Sequence, residues 1–195
     1  MDTAVLILIA VVVVLVVVVV LLLVPRLREK KRSRELKNRF GPEYDRAVDA
    51  TGDRLSAEED LERREERRAE FDIRPLEPAQ RRRYADAWRE TQKRFLDSPG
   101  DAIGEADELV TRVMRDRGYP IDDFAQRAED LSVDHPGVVE DYRAANHVAM
   151  AHERGEASTE DLRRALVHYR SLFDRLLHDD QGSNDAHHRS HKEAE

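Results

Sequence analysis

The side chains best suited to chemistry in this chain are its histidines, and their spacing is the first constraint. His152-Glu153-Arg154-Gly155-Glu156 opens like the His-Glu-x-x-His zinc motif, which needs two imidazoles one helical turn apart on the same face. The second imidazole is missing. His135 and His152 fall near opposite ends of one expected helix, too far apart to share a metal ion, and the simplest reading is that both are ordinary helix-end residues. His187, His188 and His191 could chelate a transition metal weakly, but they sit in a polar, acidic tail where solvated positions are the plainer reading. The chain has no glycine-rich phosphate loop, no Gly-x-Ser-x-Gly and no Glu-x-x-His pair. Without cysteine, disulfides, thiol catalysis and cysteine-held metal sites are excluded. We therefore expect no catalytic centre, no metal site and no cofactor.

Two other constellations need weighing. Arg81, Arg82 and Arg83 beside Tyr84 and Trp88 mix bases with aromatics as single-strand nucleic-acid binders do. The aromatics, however, fall on a helix stripe that reads as core, and the surrounding body is acidic, so nucleic acid is not an expected partner. The second constellation spans Gly118-Tyr119-Pro120-Ile121-Asp122-Asp123-Phe124 and Leu131-Ser132-Val133-Asp134-His135-Pro136. It places three acids, a phenol and an imidazole at two successive helix starts. Helix capping explains the acids. The alternative is a recognition surface built on an exposed Tyr119 and His135 with Asp122, Asp123 and Asp134, and by elimination this is where we expect a protein partner to bind.

The elements that must position these residues read as helices throughout. From Pro78 to about Leu96, Tyr84, Trp88 and Phe95 share a face; Ser98-Pro99 opens a second helix that aligns Ile103, Ala106, Val110 and Val113 and stops at Gly118. A shorter helix from Asp122 to about Leu131 carries Phe124 and Ala128. Another begins at Asp134-His135-Pro136, aligns Val138, Tyr142, Ala145 and Ala149, and ends at Gly155. The last starts at Ser158, with Asp161 as an acidic capping-box partner, and lines up Leu162, Leu166, Tyr169, Phe173 and Leu176. No strand alternation competes. Upstream, Gly41-Pro42 introduces a short helical piece with Tyr44, Ala47 and Val48. Ser56 with Glu59 reads as the capping box of a further helix whose only apolar positions over residues 57–70 are Ala57, Leu61 and Ala69. A helix so polar all round is expected to be a solvated spacer.

The N-terminus is a different polymer. Residues 4–24 are drawn only from Ala, Val, Leu and Ile, and 21 residues at about 1.5 Å each span about 31 Å, the thickness of a bilayer core. A cleaved signal peptide fits less well, since Asp2 precedes the run and Pro25-Arg26-Leu27-Arg28 follows it. All nearby bases come after the run, which places the N-terminus outside and the remainder in the cytoplasm. Residues 25–40 carry eight bases against two acids, whereas residues 41–195 carry 25 bases against 38 acids; the whole chain has a net charge of −8. We expect Arg26, Arg28, Lys30, Lys31, Arg32 and Arg34 to lie against anionic membrane lipid, where each contributes about 1 kcal/mol.

The residues from Gly118 to Tyr142, together with Gly155-Glu156-Ala157-Ser158-Thr159-Glu160-Asp161-Leu162-Arg163-Arg164-Ala165-Leu166-Val167-His168-Tyr169-Arg170, carry a resemblance. They look like those of a family of uncharacterised bacterial, mainly actinobacterial, proteins with an N-terminal membrane span and a helical domain. The likeness covers the neck after Lys31 and the block from about Arg74 to His178, and it implies no activity. The expectation is thus an all-α chain: a transmembrane anchor over residues 1–24, a basic neck and charged helical spacer over 25–74, a small helical bundle over 75–178 and a disordered tail over 179–195. As a single-pass plasma-membrane protein it would present the acidic bundle to the cytoplasm for interaction or scaffolding. An enzyme of unknown reaction, or an exported envelope protein, is the alternative.

Overall fold

The computed structural model describes residues 30–178 and, within the apolar run, Leu15 alone. The rest of that run, Arg26, Arg28 and the histidines of the tail lie outside the described residues. Among the described residues there is no strand, and no helix is long and apolar enough to cross a membrane. The chain is all-α, with a helical bundle at its centre.

Residues 30–40 are helical (α1) and turn inward one face carrying Leu36 and Phe40, one helical turn apart. Gly41, with φ +50°, breaks the helix and Pro42 takes the first position of α2 (Pro42–Thr51). The third helix, α3 (Arg54–Ala69), is capped by Asp53, whose carboxylate accepts the Ser56 backbone N–H at 2.8 Å and also the Ser56 hydroxyl. The expected cap at Ser56 is therefore displaced three residues upstream, where the Asp53 carboxylate takes the N–H of Ser56 itself.

α3 is not solvated all round. Ala57 and Leu61 are fully buried against Leu36, Phe40, Tyr44, Ala47 and Val133, forming a small core of their own. The polar count misled because Glu58 and Arg64 are buried too, each with a partner of opposite charge. Packing accordingly continues upstream of Pro75, the expected start of the bundle.

Residues 70–77 then cross to the bundle as an irregular segment, tied by the Arg74 N–H to the Arg117 carbonyl at 2.8 Å. Its close approach explains Gly118: φ is +98°, and a Cβ there would lie 2.3 Å from the Asp72 carbonyl oxygen. The bundle comprises α4 (Pro78–Asp97), α5 (Pro99–Arg117), α6 (Phe124–Asp134), α7 (Val139–Glu153) and α8 (Thr159–His178). Most boundaries follow the capping signals, but Asp134, expected to open the next helix, is the last residue of α6, and α7 starts at Val139 without a side-chain cap. Asp123 caps α6, accepting from the Gln126 N–H at 2.9 Å, and Ser158 and Asp161 exchange side-chain to backbone hydrogen bonds at the start of α8. Helix α5 is central, with α4, α8 and α7 packed around it, and α7 lies along α8. The apolar stripes meet in one large core containing Ile103, Val110, Met114, Leu131, Tyr142, Tyr169 and Phe173. Trp88 stacks on Phe173 with ring centroids 4.6 Å apart, and Tyr142 meets Tyr169 edge-on at 6.2 Å.

Candidate interaction groove

The connector residues singled out as a recognition surface lie largely inside. Tyr119 and His135 are each 3% exposed, which removes the exposed phenol and imidazole on which that surface was to be built. The reason is the way α5 ends. The Gly118 N–H returns to the Arg115 carbonyl and the Tyr119 N–H to the Met114 carbonyl, a Schellman closure. Such a closure folds the residue after the glycine back onto the last turn, and an apolar or aromatic residue there packs inward. That signal was present in Gly118-Tyr119. The Tyr119 hydroxyl donates to Asp134 Oδ2 at 2.6 Å and lies 3.4 Å from His135 Nε2, while Arg68 binds the same Asp134 oxygen. Burial, then the charge and hydrogen bond of Asp134, push the Tyr119 phenol far above its ordinary range. Asp122 accepts from Arg67, and Asp123 is spent as the α6 cap. The structure thus unites Tyr119, Asp134 and His135 in one enclosed network, with Asp122 and Asp123 beside it on structural duties.

A second polar centre was invisible in the sequence. Glu43, 2% exposed, is gripped by both Nη atoms of Arg143, at 2.6 and 2.8 Å, and by Arg64 Nη1 at 2.8 Å. Arg64 also pairs with Asp60, and Arg67 reaches the buried Asp130 at 2.9 Å. These contacts join α2 and α3 to α6 and α7. Nearby, the buried Glu58 accepts from the Tyr44 hydroxyl at 2.7 Å and from Arg54 at 2.9 Å. Burial opposes its ionisation, but hydrogen bonds from Ser33, Tyr44 and Arg54 outweigh it and hold the carboxyl below the usual range. In the bundle interior, burial raises the Asp107 carboxyl and the phenols of Tyr142 and Tyr169, with Arg127 opposing each shift. Among the described residues, no group of three His, Asp or Glu is placed to hold a metal ion.

Of the bases expected at a lipid surface, Lys30, Lys31 and Arg34 point outward from α1, whereas Arg32 is half-buried and paired with Glu62 on α3. The described part of the neck, residues 30–40, is therefore a helix with one face docked and the other basic.

The feature with the most open chemistry is a groove of about 610 Å³ between α4 and α8. Both helices pack on α5, and they face each other across the Trp88–Phe173 stack. Ala85 and Leu177 complete an apolar floor, and Arg81, Arg82, Arg89 and Arg170 stand around it, with Asp174 the one carboxylate in the lining. Arg81 also holds the Leu76 carbonyl, and Arg170 pairs with Asp174. Arg82 and Arg89 are exposed, and Arg89 pairs with Asp86 one turn before it on α4. On a chain of net charge −8, four guanidiniums around an apolar floor form a local basic site.

No family model, curated protein or solved structure matches the chain. Its function is therefore argued from its own residues. Of the mixture of bases and aromatics in Arg81 to Arg83, Tyr84 and Trp88, the structure puts Arg81, Arg82 and Trp88 in the groove and Arg83 and Tyr84 in a separate cleft beside Asp116. The α8 half was missed because Arg170 and Phe173 lie more than 80 positions further on, and only the packing on α5 brings them opposite.

Proposed function

We propose that this chain is a single-pass membrane protein that holds its acidic helical domain at the cytoplasmic face of the plasma membrane as an interaction module. The anchor is argued from the 21-residue apolar run and the eight bases that follow it within residues 25–40. Lys30, Lys31 and Arg34, exposed on α1, are available to an anionic leaflet, while the acidic body stands off it. The likeness to anchored actinobacterial proteins belongs to the same reading. The observation that carries the interaction role is the α4/α8 groove: its floor belongs to the core, but the open furrow above it, lined by arginines, is filled by no other described residue. Catalysis has weaker support: the raised phenols of Tyr142 and Tyr169 lie in the closed interior, and Tyr84, pushed up to about 12 by burial and its hydrogen bond to Asp116, stands in a small cleft with that single carboxylate.

Two measurements test this. A reporter active only outside the membrane, fused after Glu195, should stay silent while the intact N-terminus is recovered in the membrane fraction; activity would reverse the topology. A photo-crosslinker at Gln92, on the groove, should capture a protein that the same crosslinker at the exposed His147 on α7 does not. Equal capture from both positions would move the interaction surface elsewhere.

A further inference from the structure

The α4 side of the groove runs from Pro78 to Gln92. At about 1.5 Å per residue this ridge is about 21 Å long, the length of a helix of about 14 residues. On the other side, Arg170, Phe173, Asp174 and Leu177 recur at helical spacing along α8. The groove is thus a furrow between two helix ridges that share α5 as their base, with the width set by the stacked Trp88 and Phe173 rings. A third ridge laid there would complete a four-helix unit with α4, α5 and α8.

We propose that this furrow receives one acidic, amphipathic helix of a protein partner; the inference rests on the interaction role argued above and names what the site takes. The apolar face of the guest covers Ala85, Trp88, Phe173 and Leu177, and its flanking carboxylates meet Arg82 and Arg89 on one side and Arg170 on the other. Guanidiniums suit this task, since their fork matches a carboxylate with two hydrogen bonds. The charge complementarity also favours this place: acids outnumber bases 38 to 25 over residues 41–195, so the body as a whole disfavours an acidic helix while the arginines of this strip attract one.

Two other occupants fit less well. A bilayer would require the aromatic pair to insert, but Trp88 and Phe173 lie at the floor of the furrow between the α4 and α8 ridges, which a helix can enter and a flat bilayer surface cannot. The chain's own segment 179–195 starts beside His178 at the groove margin and has five acids against two bases. It has no apolar residue larger than alanine to cover the floor.

The test uses the full chain in phosphatidylcholine nanodiscs, so that no anionic lipid competes. The probe is a fluorescein-labelled 14-residue helical peptide with leucines at i, i+3, i+7 and i+10 and glutamates flanking that stripe; a control peptide carries lysine at every glutamate. Fluorescence anisotropy should show the glutamate peptide binding at least tenfold more tightly than the lysine peptide, with affinity falling as salt rises. The double variant Arg82→Glu with Arg89→Glu should invert the preference toward the lysine peptide, with helicity by circular dichroism unchanged. Binding of neither peptide, equal binding of both, or indifference to the charge reversal would overturn the proposal. So would displacement of the peptide by phosphatidylglycerol vesicles, which would assign the groove to lipid. Binding seen only after removal of residues 179–195 would assign it to the chain's own tail. Failure in any of these ways, in a chain that inserts as argued and captures a partner through Gln92, refutes the acidic helix and leaves the anchored interaction module standing.

Discussion

Two parts of the molecule use opposite strategies to hold helices together. Among the described residues, the bundle formed by α4 to α8 gathers 22 buried apolar side chains into one core, while the N-terminal α1–α3 unit has seven, one of them Val133 borrowed from α6. The smaller unit has far less apolar area, and it is joined to the bundle by guanidinium–carboxylate contacts: Arg143 on Glu43, Arg64 on Glu129, Arg67 on Asp130 and Asp122, and Arg68 on Asp134. Apolar burial is non-directional and tolerant of repacking, whereas a buried ion pair is favourable only while all its partners are in place. The bundle should therefore unfold as a unit, and the N-terminal unit should be able to detach from it locally.

The largest effect expected from breaking this contrast is on the bundle side. Trp88→Ala removes a nearly fully buried ring stacked on Phe173 and should cost about 3–5 kcal/mol in denaturant unfolding followed by circular dichroism. A loss below about 1 kcal/mol would mean that the α4 stripe is not part of the core.

A somewhat smaller and differently distributed effect is expected at the seam. Glu43→Ala leaves Arg64 and Arg143 facing each other without their shared carboxylate, a loss of about 3 kcal/mol by analogy with broken buried pairs. Amide hydrogen exchange should accelerate in α2 and α3 while α5 and α8 keep their protection. Uniform acceleration across both regions would show that they unfold together, and the distinction drawn between them would fail.

The smallest effect is with pH. The folded state lowers the Glu58 carboxyl below its ordinary value of 4.5, so its stabilising contribution is fully present above that value and is lost as pH falls through the folded value. Asp107, in the bundle, is shifted the other way: burial raises it above 3.8, so acid relieves a cost there. Mild acidification below pH 4.5 should thus loosen α2 and α3 before the bundle, and Glu58→Gln should flatten that dependence in hydrogen exchange. At the seam Asp130, raised by burial against the pull of Arg67, partly offsets Glu58. An N-terminal unit whose exchange is unaffected by acid would remove the electrostatic half of the comparison.

Much of this architecture was legible from local sequence. The starts and stops of α4, α5 and α8 follow from Pro78, Pro99, Gly118 and the Ser158–Asp161 box, because capping and proline effects act within one helical turn. The stripes through Trp88, Tyr142 and Tyr169 followed for the same reason: a helix fixes which residues share a face, whatever it packs against. The inward turn of Tyr119 was also locally encoded, in the glycine before it, although its composition suggested a surface.

What no local pattern could supply is the partner of each charge. Arg64 and Glu58 look like the surface of a solvated spacer until Glu43 and Tyr44 of α2 are known to be beside them, and Arg143 lies 100 residues from the carboxylate it grips. Burial of a charge is decided by whether another charge waits at the site, which depends on how distant helices meet. The α4/α8 groove is of the same kind: sequence alone determined two amphipathic helices, each with arginines beside its apolar stripe. Their common packing on α5 decided that the arginines ring one apolar floor, because the direction in which a helix face points is set by its neighbours rather than by its own residues.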